Sequence, residues 1–264
     1  MIVKLKTSNK MLQVLLSPFK VIYKIYYLIY FIISLIIFYP FFRYYLSDPK
    51  RFPKAFILMR LYAILWHIFT LVPVRIKGNT NPIEDGPYLI CCNHSSFMDI
   101  HCIYVVFKQY FAIAGKREIE KWPLFNIFYT SGMNILVDRK NQGGSILSLK
   151  RMIHEIDKGN PVALFPEGTI SPNAPELIEF KPGAFSLAIS KQIPIIPVTF
   201  VTNWKRLQRK KFFSGYAGPG FSDVVVHEPV FTKGLTKNEV NNLVIQVMKI
   251  INKPLQERWG CYIP

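Results

Sequence analysis

From Ile25 to Phe42 the chain reads IYYLIYFIISLIIFYPFF, eighteen residues without a charge. With Val21–Lys24 added, the run is long enough for a helix of roughly 30 Å, about one hydrocarbon thickness of a bilayer. It is too long for the apolar core of a signal peptide, and no small-residue cleavage site follows it. Pro40 is expected to kink or end the helix. A second apolar stretch, Ala55–Val72, follows the charged turn SDPKRFPK and carries Arg60 and His67. Its aromatic and aliphatic positions recur at helical spacing, so it reads as an amphipathic or interfacial helix with His67 packed or interfacial.

The charges around the first run argue about topology. Lys4, Lys6, Lys10, Lys20 and Lys24 lie at or before its start, and Arg43, Lys50, Arg51, Lys54 and Arg60 follow it. A single span keeps its positive flank on the cytoplasmic side, whereas here both flanks are basic. A helical hairpin dipping into one leaflet fits better. Residues 1–72 are therefore read as a membrane-docking segment on the cytoplasmic face of the inner (plasma) membrane. The composition agrees: half the residues are apolar, the net charge is +17 and the mean hydropathy is +0.21. That balance fits an anionic lipid surface or an acidic carrier protein. No nucleic-acid module is recognisable, so nucleic acid is not expected as a partner.

Beyond Pro73 the pattern changes to short apolar runs alternating with helical segments. Strands are expected at Tyr88–Cys92, Tyr110–Ala114, Met133–Val137, Val162–Phe165, Ile195–Val201 and Val224–Pro229. Helices are expected at about 96–107, 122–130, 145–158, 183–191 and 237–258. The alternation predicts an α/β fold, a sheet flanked by helices, over residues 73–264. The four cysteines, at 91, 92, 102 and 261, form no disulfide framework. With His94 and His101 they match none of the usual zinc spacings, so neither metal nor cofactor is expected.

Asn93-His94-Ser95-Ser96-Phe97-Met98-Asp99 follows the first of these strands. A histidine exchanges a proton near neutral pH, and a carboxylate on its Nδ1 leaves Nε2 as the base. In one regular helix a five-residue separation puts two side chains about 140° apart. The pair can meet only if His94 lies on the turn before the helix and Asp99 reaches back from its start. Ser95 or Ser96 would cap that helix. Phe165-Pro166-Glu167-Gly168-Thr169 makes a sharp loop after another strand, at the sheet's carboxyl end, where α/β proteins bind ligands. Asp138-Arg139-Lys140 closes a third, and an arginine there could clamp phosphate. Trp204–Lys211 carries Lys205, Arg206, Arg209, Lys210 and Lys211 without an acid and reads as a contact for anionic headgroups or an acidic acyl carrier protein, or as a solvated helix face.

These blocks, with Gly115-Lys116-Arg117-Glu118 and Ile193-Pro194-Ile195-Ile196-Pro197-Val198, occur in an order that resembles the glycerolipid acyltransferase family over about residues 73–230. The resemblance implies transfer of a fatty acyl group from acyl-CoA or acyl carrier protein to the hydroxyl of a lysophospholipid, with 1-acyl-sn-glycerol 3-phosphate the leading acceptor. It implies that His94 deprotonates the acceptor and Asp99 orients His94. Arg139 would hold the phosphate, Glu167, Gly168 and Thr169 would shape that pocket, and Ile193–Val198 would line the meeting of acyl chain and core. No protein nucleophile is required, in line with the lack of a Gly-x-Ser-x-Gly elbow. One departure stands out: many family members carry arginine after Glu-Gly-Thr, and this chain has Ile170. Arg139, Lys140 and Lys181 are candidates to replace it, and another lysolipid or amino-lipid acceptor is the alternative. A hydrolase using the same pair on water, or a membrane lipid-binding protein, are the rival readings.

Overall fold

The computed structural model describes residues 17–264 except 82, 84–85, 139–141, 211–212 and 214. Three runs without polar alternation form the middle of its sheet: β2 (Leu89–Cys92), β5 (Val162–Leu164) and β6 (Ile195–Phe200), every residue of each buried. Strands like these belong inside a parallel sheet covered on both faces. The other members are β1 (Val74–Lys77), β3 (Ala112–Lys116), β4 (Ile135–Val137) and β7 (Ser222–Val226), in the order β1-β7-β6-β2-β5-β3-β4. All neighbours pair parallel except β6 and β7.

Successive side chains on a strand face opposite ways, and the core divides accordingly. Ile90, Cys92, Ala163, Ile196 and Val198 join one apolar cluster, and Leu89, Cys91, Val162, Leu164 and Ile195 the other. The second face is covered by α6 (Gly183–Lys191) and α8 (Val240–Trp259). The first is covered by α3 (Asp99–Val106) and by the two N-terminal helices, α1 (Ser17–Tyr45) and α2 (Phe52–Phe69). The remaining helices are α4 (Ile127–Thr130), α5 (Gln142–Asp157) and α7 (Asn203–Arg206).

The helix pair is built into this core. Trp66 is fully buried, with its ring stacked on His101 of α3 at 4.6 Å and met edge-on by Tyr27 of α1 at 4.7 Å. Phe42 packs edge-on against Phe128 at 4.8 Å, and Phe56 against Phe111 at 5.1 Å. The opposite side of α1 is bare: Ile25, Ile29, Ile32, Ile33, Ile36 and Ile37 are all exposed.

Several boundaries differ from the sequence reading. Pro40 does not end α1, which continues to Tyr45; the lost hydrogen bond is offset by burial of Phe42 and Leu46 beyond it. β1 was not anticipated, because an edge strand of sequence VRIK, mostly exposed, carries little apolar signal. Among the described residues of the basic run at 204–211 the helix, Asn203–Arg206, ends early, and the chain then turns into β-bridges, Leu207 to Ala217 and Gln208 to Ser96.

Candidate active site

His94 lies two residues beyond the end of β2, and Asp99 is the first residue of α3. Asp99 therefore reaches back over the intervening turn, and the pair meets with Nδ1 3.0 Å from Oδ2. At the start of α3 the Ser96 hydroxyl accepts the Met98 N–H at 3.3 Å. In return the Ser95 and Ser96 N–H groups donate to Asp99 Oδ2 at 2.7 and 2.8 Å. Asn203 Nδ2 donates to Oδ1 at 2.8 Å, and the Ser222 hydroxyl donates to Asn203 Oδ1. Asp99 is wholly buried, so these donors are what make its charge affordable. A carboxylate only accepts, which places the imidazole proton on Nδ1 and leaves the Nε2 lone pair outward. The ring is held flat against Phe165, 4.1 Å between centroids.

Glu167 acts from behind. It is 3% exposed, and its two oxygens accept N–H bonds from His94 (2.6 Å) and Ile178 (3.1 Å). Burial pushes its carboxyl up to about 8, opposed by those two amides. The His94 carbonyl in turn accepts from Ser171 N–H at 2.9 Å, so the loops after β2 and β5 are laced together. Glu167→Ala leaves two amides without partners. Each such orphan costs about 1–3 kcal/mol, so urea unfolding should show a loss of roughly 2–6 kcal/mol. Because His94 loses its backbone anchor, any activity carried by its side chain should fall about 100-fold as well.

His94 opens onto a cavity of about 700 Å³, a normal size for a ligand site. Phe31, Phe97, Ile119, Trp122 and Phe125 give it a largely apolar wall. Gly168, Thr169 and Ile170 also border it, whereas Glu167 does not. One wall belongs to α1, through Lys24, Tyr27, Leu28 and Phe31. Lys116, Arg209 and Lys210 supply cations.

Of the residues singled out in sequence, His94, Asp99, Glu167, Gly168 and Thr169 come together. Arg139 and Lys140 lie outside the described residues. Lys181 is exposed and does not border the cavity. Ile193–Val198 does not line it either: Ile193 and Ile195 pack under α6 and α8, and Ile196 and Val198 in the opposite core, because β6 is an interior strand. Asn203 and Ser222 were not anticipated; they reach Asp99 from the segments that follow β6 and begin β7. Arg209 was marked only as one of the basic residues of 204–211, and the Ser96–Gln208 bridge brings it to the site.

Residues 73–201 match the family model described as Acyltransferase. Together with the relatives below, that match supports the glycerolipid acyltransferase family for this segment. It is 30% identical over 181 residues to the putative 1-acyl-sn-glycerol-3-phosphate acyltransferase acl-2 of Caenorhabditis elegans, covering 67% of this chain and 62% of that protein. To the 1-acyl-sn-glycerol-3-phosphate acyltransferase of Saccharomyces cerevisiae it is 27% identical, covering 73% and 64%. The chain thus spans less than two thirds of either relative. It spans 81% of the corresponding Haemophilus influenzae protein, at 27% identity over 203 residues and 76% of its own length. The crystal structure of the 1-acyl-sn-glycerophosphate acyltransferase PlsC from Thermotoga maritima shares this acyltransferase fold. Its TM-score is 0.74 at 20% identity, over 93% of this chain and 98% of that one.

Proposed function

We propose that the protein transfers a fatty acyl group from a thioester to the free hydroxyl of 1-acyl-sn-glycerol 3-phosphate, giving phosphatidic acid. The observation that carries this reading is an Asp99-bound imidazole at the edge of a large apolar cavity. His94 Nε2 takes the hydroxyl proton as the acceptor oxygen attacks the thioester carbonyl. The tetrahedral intermediate collapses, the carbon–sulfur bond breaks, and the proton passes from His94 to the departing thiolate. Asp99 stabilises the imidazolium between the two transfers. The cavity takes an acyl chain, and the names of the relatives support the acceptor.

The donor is an acyl group on coenzyme A or on an acyl carrier protein. The bare isoleucine face of α1 sits in the acyl region of the cytoplasmic leaflet, where anionic headgroups meet the basic chain. Since α1 also walls the cavity, an acyl chain reaches His94 from the lipid side without crossing water.

The test offers purified protein a panel of lysolipids with palmitoyl-CoA and, separately, palmitoyl carrier protein. Phosphatidic acid formed from the lysophosphatidic acid arm, in preference to free fatty acid, is the expected product. Release of fatty acid without transfer would reject the reading in favour of hydrolysis.

A further inference from the structure

The loop Glu167-Gly168-Thr169-Ile170 presents no cation of its own, although it borders the cavity beside His94. A cation reaches it from another part of the chain. Arg209 Nη1 donates to Thr169 Oγ1 at 2.9 Å and to the Ile170 carbonyl at 3.2 Å. Arg209 is exposed to solvent on its other side and borders the same cavity. Its remaining donors, Nε and Nη2, have no protein partner among the described residues.

The segment that delivers Arg209 is fixed to the catalytic turn. Ser96 forms a β-bridge with Gln208, and the Ser96 hydroxyl donates to the Leu207 carbonyl at 2.7 Å. Gln208 is pinned on its other side, its N–H donating to the Tyr216 carbonyl at 2.9 Å and its Oε1 accepting the Tyr216 N–H at 3.0 Å. The arginine one residue later is therefore held at both ends of its reach, by the loop after β2 and by the loop after β5. A guanidinium fixed through one nitrogen, with the rest of its fork turned toward solvent, suits a phosphate oxygen pair. Lys116 and Lys210 on the cavity border add positive charge for a dianionic group.

We propose that Arg209 is a specificity-determining residue, which clamps the phosphomonoester of the acceptor from the segment bridged to Ser96. This rests on the acceptor reading above. The same chemistry could come from the phosphates of coenzyme A, so the two sources are tested apart.

Initial rates are measured for wild type, Arg209→Gln and Arg209→Lys, varying lysophosphatidic acid at saturating palmitoyl-CoA and then the reverse. Losing a charge-assisted bond is worth about 10- to 100-fold in affinity. KM for lysophosphatidic acid should rise by that factor in Arg209→Gln and less in Arg209→Lys, which keeps the charge without the fork. KM for palmitoyl-CoA should stay within about twofold, and kcat should fall much less than KM rises. An unchanged lysophosphatidic acid KM in Arg209→Gln, or a rise confined to palmitoyl-CoA, overturns the proposal while leaving the acceptor reading intact. Wild type inactive on lysophosphatidic acid overturns the acceptor reading, and this proposal with it. The position is exposed, so folding is little disturbed, and Arg209→Lys guards against loss of Gln protein.

Discussion

Asp99→Ala is expected to lower kcat for acyl transfer by about 1,000-fold or more and to destabilise the fold by roughly 3–5 kcal/mol. The second figure follows from the donors stranded around a wholly buried group: the amides of Ser95 and Ser96 and the side-chain amide of Asn203. The first follows from the charge. The carboxylate fixes the imidazole proton on Nδ1 and stabilises the imidazolium that forms during transfer, and both contributions vanish with it. Geometric loss adds to it, because Asp99 alone holds Nδ1.

Asp99→Asn separates the two effects. The amide oxygen can keep the Oδ2 position, where it still accepts from Ser95, Ser96 and His94. Its NH2 then faces Asn203, which satisfies it by turning its own oxygen inward, and the Ser222 hydroxyl accepts in turn. The fold should lose about 1 kcal/mol or less while kcat still falls about 100-fold or more, because the neutral amide no longer stabilises the developing imidazolium. Thermal unfolding and steady-state rates on the two variants check both halves of this argument.

The helix-covered sheet was legible in the sequence because β2, β5 and β6 are short apolar runs bounded by turn residues, and no other common arrangement buries such strands on both faces. β1 was not, since an exposed edge needs little apolar character. The His94–Asp99 meeting was legible only as a condition. Five residues place two side chains on different faces of a helix, and the pair closes because α3 begins at Asp99 itself. Glu167 was visible as part of a loop at the sheet's carboxyl end, but not its task. Its oxygens face the backbone of His94 and Ile178, a fact of how two loops pack rather than of spacing. Asn203, Ser222 and Arg209 lie more than a hundred residues from His94 in sequence. Nothing local marks Asn203 or Ser222, and Arg209 stood out only as part of a basic run, because they arrive through the antiparallel turn-back of β7 on β6 and the bridge at Ser96. The N-terminal helices were legible as apolar, yet their role as a cavity wall depends on α1 lying across α3 and the loop at Trp122–Phe125.

The central claim is that the Nε2 atom of His94 accepts the acceptor's proton. His94→Ala, assayed for transfer of labelled palmitate from palmitoyl-CoA to lysophosphatidic acid, tests it most directly. The side chain is partly exposed at a cavity edge, with 13% of its surface open, so alanine there should leave a folded protein that melts within a few degrees of wild type. A positioned general base is worth about 100- to 10,000-fold, and its removal should take kcat down by that amount with little change in KM for either substrate. A folded His94→Ala protein that turns over within about tenfold of wild type would contradict it.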